Sequence, residues 1–295
     1  MINTNLKGKT ALVTGANHGV GAATAVALAR EGADVFLTYL RIFPAGRKTK
    51  SRGRADRAEG PGPDFYYSHV LTRDASSVIR SIRDLGRRVH AWEADLAEPG
   101  NIPRLMAKAE RALGRVDILV NNADHDRPDT FLPGSEIPSR GLFGGDCPLR
   151  TISTESIDAH FAVNCRAVAL LMAEFAARQI ARKAGWGRII TISTDGASGH
   201  AWNVSYGASK WAAESYTRAA AAELGSFGIT VNAVSPGAVQ TGWLPKRSAR
   251  TVARSYPLRR IGTPDDIASA VVFLASKQAD WITGQVIFVG GGNRM

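Results

Sequence analysis

The sequence predicts an α/β fold: one parallel sheet, doubly wound, flanked by helices on both faces. Three observations carry this. Short apolar runs alternate with helical periods along the whole 295-residue chain. The first run leads into a glycine-rich turn that opens a helix. No linker and no internal repeat divides the chain, so residues 1–295 read as a single domain.

The elements follow in order. Thr10–Thr14 is a short buried strand, Gly19–Glu31 an Ala-rich helix and Val35–Tyr39 a second strand. A helix is expected over Val78–Leu85, a strand over Val89–Trp92, a helix over Ile102–Leu113 and a strand over Asp117–Val120. Thr154–Ala184 has the period of one long helix, followed by the strand Arg188–Ile192 and the helix Tyr206–Leu224. Thr230–Val234, a helix over Pro264–Ala275 and the strand Val286–Val289 close the series. Apolar strands between helices imply a sheet covered on both faces. Residues 43–68 and 133–150 break the rhythm. Both are rich in Gly and Pro and long for connections, and they read as surface insertions.

Composition narrows the function. The 44% apolar and 21% charged fractions are those of an ordinary globular protein. No apolar run reaches the roughly 18 residues of a membrane span. Met1–Leu6 lacks the basic-then-apolar pattern of a secretory signal. Cys147 and Cys165 make neither a disulfide framework nor a metal site, and no ligand cluster has metal spacing. A cytoplasmic location, no metal and no membrane partner are therefore expected. The net charge is +11, and much of it lies between Arg41 and Arg57, with Arg47, Lys48, Lys50, Arg52 and Arg54 inside. A basic run can bind nucleic acid, but no nucleic-acid module surrounds this one. A solvated loop is the plainer reading. A third possibility is a phosphate at the adenosine end of a dinucleotide.

The turn Thr14-Gly15-Ala16-Asn17-His18-Gly19-Val20-Gly21 follows the first strand. Glycines let a backbone approach a pyrophosphate, and the free N–H groups of the following helix face the anion. Tyr206 and Lys210, at i and i+4, share one helix face. A free tyrosine has a pKa of about 10, too high for acid–base work at neutral pH. A nearby ammonium favours the phenolate and lowers it. Ser193 lies at the end of the preceding strand and offers a hydroxyl for a substrate carbonyl. Thr194 is its rival at the same strand end.

The Gly-x-x-x-Gly-x-Gly spacing of Gly15, Gly19 and Gly21 resembles the short-chain dehydrogenase/reductase family. So do Tyr206-Gly207-Ala208-Ser209-Lys210, Ser193 thirteen residues before Tyr206, Asn121-Asn122-Ala123 and Pro236-Gly237-Ala238-Val239-Gln240-Thr241. The likeness covers nearly the whole chain apart from the insertions and suggests a 3-oxoacyl-carrier-protein-reductase-like member. It implies a Rossmann fold and an oxidoreductase interconverting a ketone and a secondary alcohol. Its catalytic residues would be Asn164, Ser193, Tyr206 and Lys210. Ser193 is preferred to Thr194 on spacing and on Ser193-x-x-Gly196.

The resemblance also implies cofactor contacts. They are Gly15, Asn17, His18, Gly19, Val20 and Gly21 at the phosphates, and Asp95 with Leu96 at the adenine. Asn122 and Ala123 pass beside the cofactor, the first Asn of the pair steadying the sheet. Pro236, Gly237, Val239 and Thr241 flank the nicotinamide, and Tyr206 and Lys210 reach its ribose. Asn164 would hold a water that links Lys210 to solvent. Asp95-x-x-Glu98 also reads as a capping box for the next helix. Asp124 stands where Gly is usual, and a left-handed Asp would let that turn survive. Tyr39-Leu40-Arg41 ends the second strand without the carboxylate that would favour NAD, so NADP(H) is preferred over NAD(H). Arg41 is expected to pair with the 2′-phosphate, or else to be a surface arginine.

A non-catalytic regulator of the same fold is the alternative, and the complete set Asn164, Ser193, Tyr206 and Lys210 speaks against it. The substrate would be a small carbonyl or alcohol of unspecified identity. Gly242–Arg259 should line its pocket, with Trp243, Leu244, Tyr256 and Leu258 as apolar surface and Arg247, Arg250 and Arg254 as candidate attractors of an acidic substrate. The two long helices, Thr154–Ala184 and Tyr206–Leu224, are apolar around much of their circumference, which implies packing against another subunit, and the resemblance implies a homotetramer or homodimer.

Overall fold

In a computed structural model, residues 4–43, 70–137, 149–244 and 246–293 are described. Most of both insertions, including Arg47 to Arg57 and Cys147, lies outside them. Seven strands form one parallel sheet: β1 (Thr10–Thr14), β2 (Asp34–Tyr39), β3 (Val89–Glu93), β4 (Ile118–Asn121), β7 (Gly187–Ile192), β8 (Ile229–Pro236) and β9 (Val286–Val289). Their order is β3-β2-β1-β4-β7-β8-β9. Direction reverses between β1 and β4, which opens a crevice beyond their C-terminal ends.

Strand alternation explains how both faces are filled. Ala11, Val13, Ile118, Val120, Ile190 and Ile192 point to one side, where they pack with Ala25, Leu28, Ile267, Val271 and Leu274. Those last residues come from α1 (Gly19–Arg30) and α8 (Pro264–Ala275). The intervening Leu12, Leu119 and Ile189 point to the other side. There they meet α3 (Asn101–Leu113) and α5 (Val168–Ala181), through Leu105, Met106, Leu171 and Phe175. Helix α2 (Ser76–Asp84) joins the first layer through Val78 and Ile82. Burial on both faces is why these strands read as continuous apolar runs.

Three elements differ from expectation. The stretch predicted as one helix over Thr154–Ala184 is α4 (Thr154–Phe161), a π-helical turn (Ala162–Ala167) and α5. Asn164 lies inside that turn, and the apolar period alone does not reveal it. A two-stranded parallel sheet, β5 (Asp129–Thr130) with β6 (Arg150–Thr151), brackets the second insertion. Two residues are too few to show alternation. Helix α7 (Lys246–Ser255) was not predicted, because KRSARTVARS has few apolar residues to set a period. The remaining helix, α6 (Val204–Leu224), packs on β8 and carries the Tyr–Lys pair.

The Asp95–Glu98 capping box is absent. Helix α3 starts at Asn101 after Gly100, and the Asp95 carboxylate instead accepts the Ala97 N–H at 2.8 Å. Asp124 is not left-handed either. Among the described residues, positive φ outside glycine occurs at Asn5, Lys183, Trp202 and Arg259, so the turn accommodates Asp124 without that strain.

Candidate active site

The glycine turn is shaped by close approach. Gly15 has φ +64°, and a Cβ there would lie 2.7 Å from Ala123 Cα. A Cβ on Gly21 would lie 2.4 Å from Asn122 Nδ2. Asn122 Nδ2 donates to the carbonyls of Thr14 (2.9 Å) and Gly15 (3.0 Å), and the N–H groups of Asn122 and Ala123 both donate to Thr14 Oγ1 at 2.9 Å. The second Asn of the pair therefore clamps the turn to β4. The role expected of the first is smaller: Asn121 Nδ2 reaches Thr191 Oγ1 at 3.5 Å.

The turn also meets the segment after β8. A Cβ on Gly19 would lie 3.1 Å from the Thr241 methyl. Val239 is buried and bridges to Gly262, and Trp243 Nε1 donates to the Val239 carbonyl at 2.8 Å. Tyr256 Oη accepts the Ala238 N–H at 2.7 Å. Trp243, Leu244 and Tyr256 thus brace Pro236–Thr241, whereas Leu258 projects into solvent. His18 caps α1 without a side-chain bond, which leaves the first-turn N–H groups of that helix to an anion. A turn pinched in at its glycines, a helix start without a side-chain cap and a braced opposite wall fit a dinucleotide. Leu96 is buried among Leu12, Phe36 and Leu119, so only its main chain is available to an adenine.

At the adenosine end the expectation for Arg41 changes. Its guanidinium is already paired with Glu93, Nη2 to Oε2 at 2.7 Å and Nε to both carboxylate oxygens at 3.0 Å. The β2–β3 register sets Tyr39 opposite Glu93 and creates this pair. Asn17 is buried and donates through Nδ2 to the Arg73 carbonyl at 2.9 Å. That bond fastens Arg73, just after the first insertion, to the glycine turn. Burial pulls the His18 imidazole below its ordinary pKa; Asp124 offsets this and Arg73 adds to it.

The catalytic helix is anchored at its start. Asp129 accepts the Ser205 N–H at 2.9 Å and the Ser156 hydroxyl, tying the first turns of α6 and α4 together. Lys210 is buried, with Nζ donating to the Ile192 carbonyl at 2.9 Å and lying 5.6 Å from the Tyr206 ring centroid. Burial lowers its pKa, and Asp124 and Asp126 hold it up in part. Asn164 Oδ1 accepts the His125 N–H at 2.7 Å, and Nδ2 donates to the His125 carbonyl (2.8 Å) and to Ser209 Oγ (3.0 Å). Both N–H donors of this amide are thus engaged, and one lone pair of Oδ1 is left for a water.

Ser193 stands at the strand end, as the spacing put it, but its side chain is engaged inside the protein. It is buried, and its hydroxyl donates to the buried Glu214 carboxylate at 2.6 Å. The alternation of β7 explains this: Ile189, Thr191 and Ser193 share the face that α6 covers. Thr194, the next residue, is half-buried, and its Oγ1 accepts the Gly196 N–H at 3.3 Å. Its hydroxyl proton remains available to a substrate oxygen. Glu214, one turn beyond Lys210, was missed in the sequence, although the i, i+4, i+8 spacing of Tyr206, Lys210 and Glu214 marks a common helix face.

A crevice at the strand-order switch, a glycine turn that opens a helix and a Tyr–Lys pair on one helix face define an oxidoreductase of the α/β class. The model of the enoyl-(acyl carrier protein) reductase family matches residues 51–294. The short-chain reductase protein NovJ of Streptomyces niveus is 32% identical, over 96% of this chain and 92% of its own. A blue fluorescent protein from a metagenomic library, solved with NADPH, superposes with a TM-score of 0.74 at 31% identity and covers 98% of both chains. A short-chain dehydrogenase of Burkholderia cenocepacia J2315, solved with NADP, gives 0.73 at 30% identity, covering 97% of this chain and 98% of the other. The chain belongs to the short-chain dehydrogenase/reductase family.

Proposed function

We propose that the protein interconverts a ketone and a secondary alcohol, with NADP(H) as the hydride carrier and Tyr206 as the acid–base group. The observation that carries this is the Lys210 ammonium, buried and 5.6 Å from the Tyr206 ring centroid on the same helix face. A positive charge held there in low dielectric favours the phenolate and brings the Tyr206 proton within range of neutral-pH chemistry. The bound nicotinamide supplies or accepts the hydride. Thr194 donates its hydroxyl to the carbonyl oxygen, Tyr206 gives that oxygen its proton, and Lys210 keeps Tyr206 acidic. Asn164 fixes the loop at His125 and offers Oδ1 to a water that resupplies the proton.

The preference for the 2′-phosphorylated cofactor rests on the missing carboxylate in Tyr39-Leu40-Arg41 and on the NADPH and NADP bound by the two solved relatives. We assign the phosphate-facing cation to Arg73, exposed beside the glycine turn, because Arg41 is neutralised by Glu93. The test is a panel of ketones followed by NADPH absorbance, for the parent and for Tyr206→Phe. Turnover should fall by about 10²–10⁴-fold in the variant while NADPH still binds. Activity within a few-fold of the parent sinks the assignment.

A further inference from the structure

Tyr206 is flanked by two imidazoles. His160 of α4 meets its ring edge-on, with centroids 6.4 Å apart and planes at 71°. His200, in the loop between Thr194 and α6, meets it at 6.0 Å and 81°. Their nitrogens differ in what they do. His160 is fully buried; its Nδ1 lies 2.7 Å from the Ser156 carbonyl, and its Nε2 accepts the Arg127 N–H at 3.2 Å. A carbonyl only accepts, so Nδ1 carries the proton and this ring is neutral and fully engaged. His200 is partly exposed, and its Nδ1 faces the Ala201 carbonyl at 3.3 Å. A donor is again needed at Nδ1, and in the neutral ring this leaves the lone pair on Nε2, for which no partner stands among the described residues.

The seat of the His200 ring is cut by two glycines. A Cβ on Gly196 would lie 2.2 Å from His200 Cδ2, and one on Gly207 would lie 2.7 Å from His200 Cβ. Any other residue at either position displaces the imidazole from Tyr206. The neighbouring groups are acceptors too. Asn203 N–H donates to the His200 carbonyl at 3.2 Å, and Asn203 Nδ2 holds Asp126 Oδ1 at 2.7 Å. Asp126 lies within electrostatic range of both His160 and His200, and with Asp124 it lies within range of Lys210. With Asp126 beside His200, this side of the site offers hydrogen-bond acceptors and matches a substrate that brings hydrogen-bond donors.

We propose that His200 is the specificity-determining residue and that its Nε2 accepts a substrate hydroxyl on the carbon next to the reacting one. The substrate class is an α-hydroxy ketone, or in the reverse direction a vicinal diol. This rests on the ketone–alcohol reading above. The ring stands beside the phenol that protonates the carbonyl oxygen, so the donor it meets belongs to the adjacent carbon. A site that hydrogen-bonds a substrate hydroxyl discriminates against the analogue lacking it, because its own acceptor is then left unpaired.

The experiment compares 1-hydroxy-2-butanone with 2-butanone, using NADPH, for the parent, His200→Phe and His200→Gln. Direct NADPH titration by fluorescence serves as the control for folding. The parent should favour the hydroxy ketone in kcat/KM by about tenfold or more. His200→Phe, which keeps a flat ring but no acceptor, should lose that preference. The ratio of the two kcat/KM values is the readout; NADPH binding should be unchanged, and His200→Gln should keep part of the preference. A parent that treats the two ketones alike overturns the proposal, as does a Phe variant that keeps the preference or loses both substrates equally. If neither ketone nor the matching alcohols react while NADPH binds, the ketone–alcohol reading itself fails, and this one with it.

Discussion

Ser193 and Thr194 are adjacent residues whose hydroxyls meet different partners, the Glu214 carboxylate and the Gly196 N–H. Thr194→Val should lower kcat/KM by about 10²-fold, the cost of one missing donor at a developing oxyanion. Ser193→Ala should leave the chemistry within several-fold and lower stability by about 1–3 kcal/mol, because the buried Glu214 carboxylate loses a donor. Steady-state kinetics and urea unfolding of the two variants separate the roles; the reverse pattern restores Ser193. The count of thirteen residues to Tyr206 points to Ser193, whereas the strand's period of two turns its side chain toward the face that α6 covers. Arg41 carries a similar lesson. The Tyr39–Glu93 register that neutralises it depends on which strands pair, and no local pattern around Arg41 announces it. Arg73→Ala should weaken NADPH binding by about 1–3 kcal/mol and leave NADH almost unchanged, while Arg41→Ala should do little to either. Fluorescence titration of both cofactors tests this, and a selective loss in Arg41→Ala instead would reverse the assignment.

At the scale of elements, helix α8 shows what local sequence specifies well. Its bounds, Pro264–Ala275, follow from a proline at the start and an apolar period. The start is held by a capping box: Thr263 Oγ1 accepts the Asp266 N–H, and Asp266 accepts the Thr263 N–H at 2.7 Å. Arg260 adds a two-pronged contact at 2.6 and 2.8 Å. The Arg260 guanidinium, and then the Thr263 N–H, hold the Asp266 carboxyl well below the ordinary carboxylate range. Its folded pKa is thus below its unfolded one. The stability it contributes is complete above about pH 4 and is lost as pH falls through the lowered value. Asp266→Asn should therefore flatten the acid limb of a stability–pH curve and change little at neutral pH beyond the lost cap. Thr263→Ala should cost about 1 kcal/mol at any pH. An unchanged acid limb in Asp266→Asn contradicts the assignment. The π-helical turn at Ala162–Ala167 lies at the other extreme. It depends on Asn164 bonding to His125, 39 residues away, and an apolar period cannot carry that information.

Among the described residues, two groups of large apolar side chains on the helices and the edge strand stand exposed. On one surface, Trp211 and Tyr216 of α6 are 49% and 47% exposed, next to Ile157 of α4 and Leu170 and Ile180 of α5. The stretch Thr154–Ala181 is long and apolar enough by composition to cross a membrane, yet half of its most apolar window is buried inside the protein. Its remaining apolar face is expected to pack against another subunit. On the other surface, Trp281 is 99% exposed and Phe288, on the edge strand β9, is 52% exposed, with Phe273 of α8 also open. Burying a large apolar side chain is worth about 1.5–3 kcal/mol, so two such clusters drive association unless something covers them. Two separate surfaces, each paired with its own copy about a two-fold axis, generate a tetramer, and one alone generates a dimer. The expectation is a homotetramer in which Trp211→Glu and Trp281→Glu each yield dimers and the double variant yields monomers. Sedimentation velocity across a concentration series reads this directly. A parent that is monomeric at every working concentration rules it out. A parent dimer that one substitution dissolves and the other leaves intact shows which surface pairs in solution.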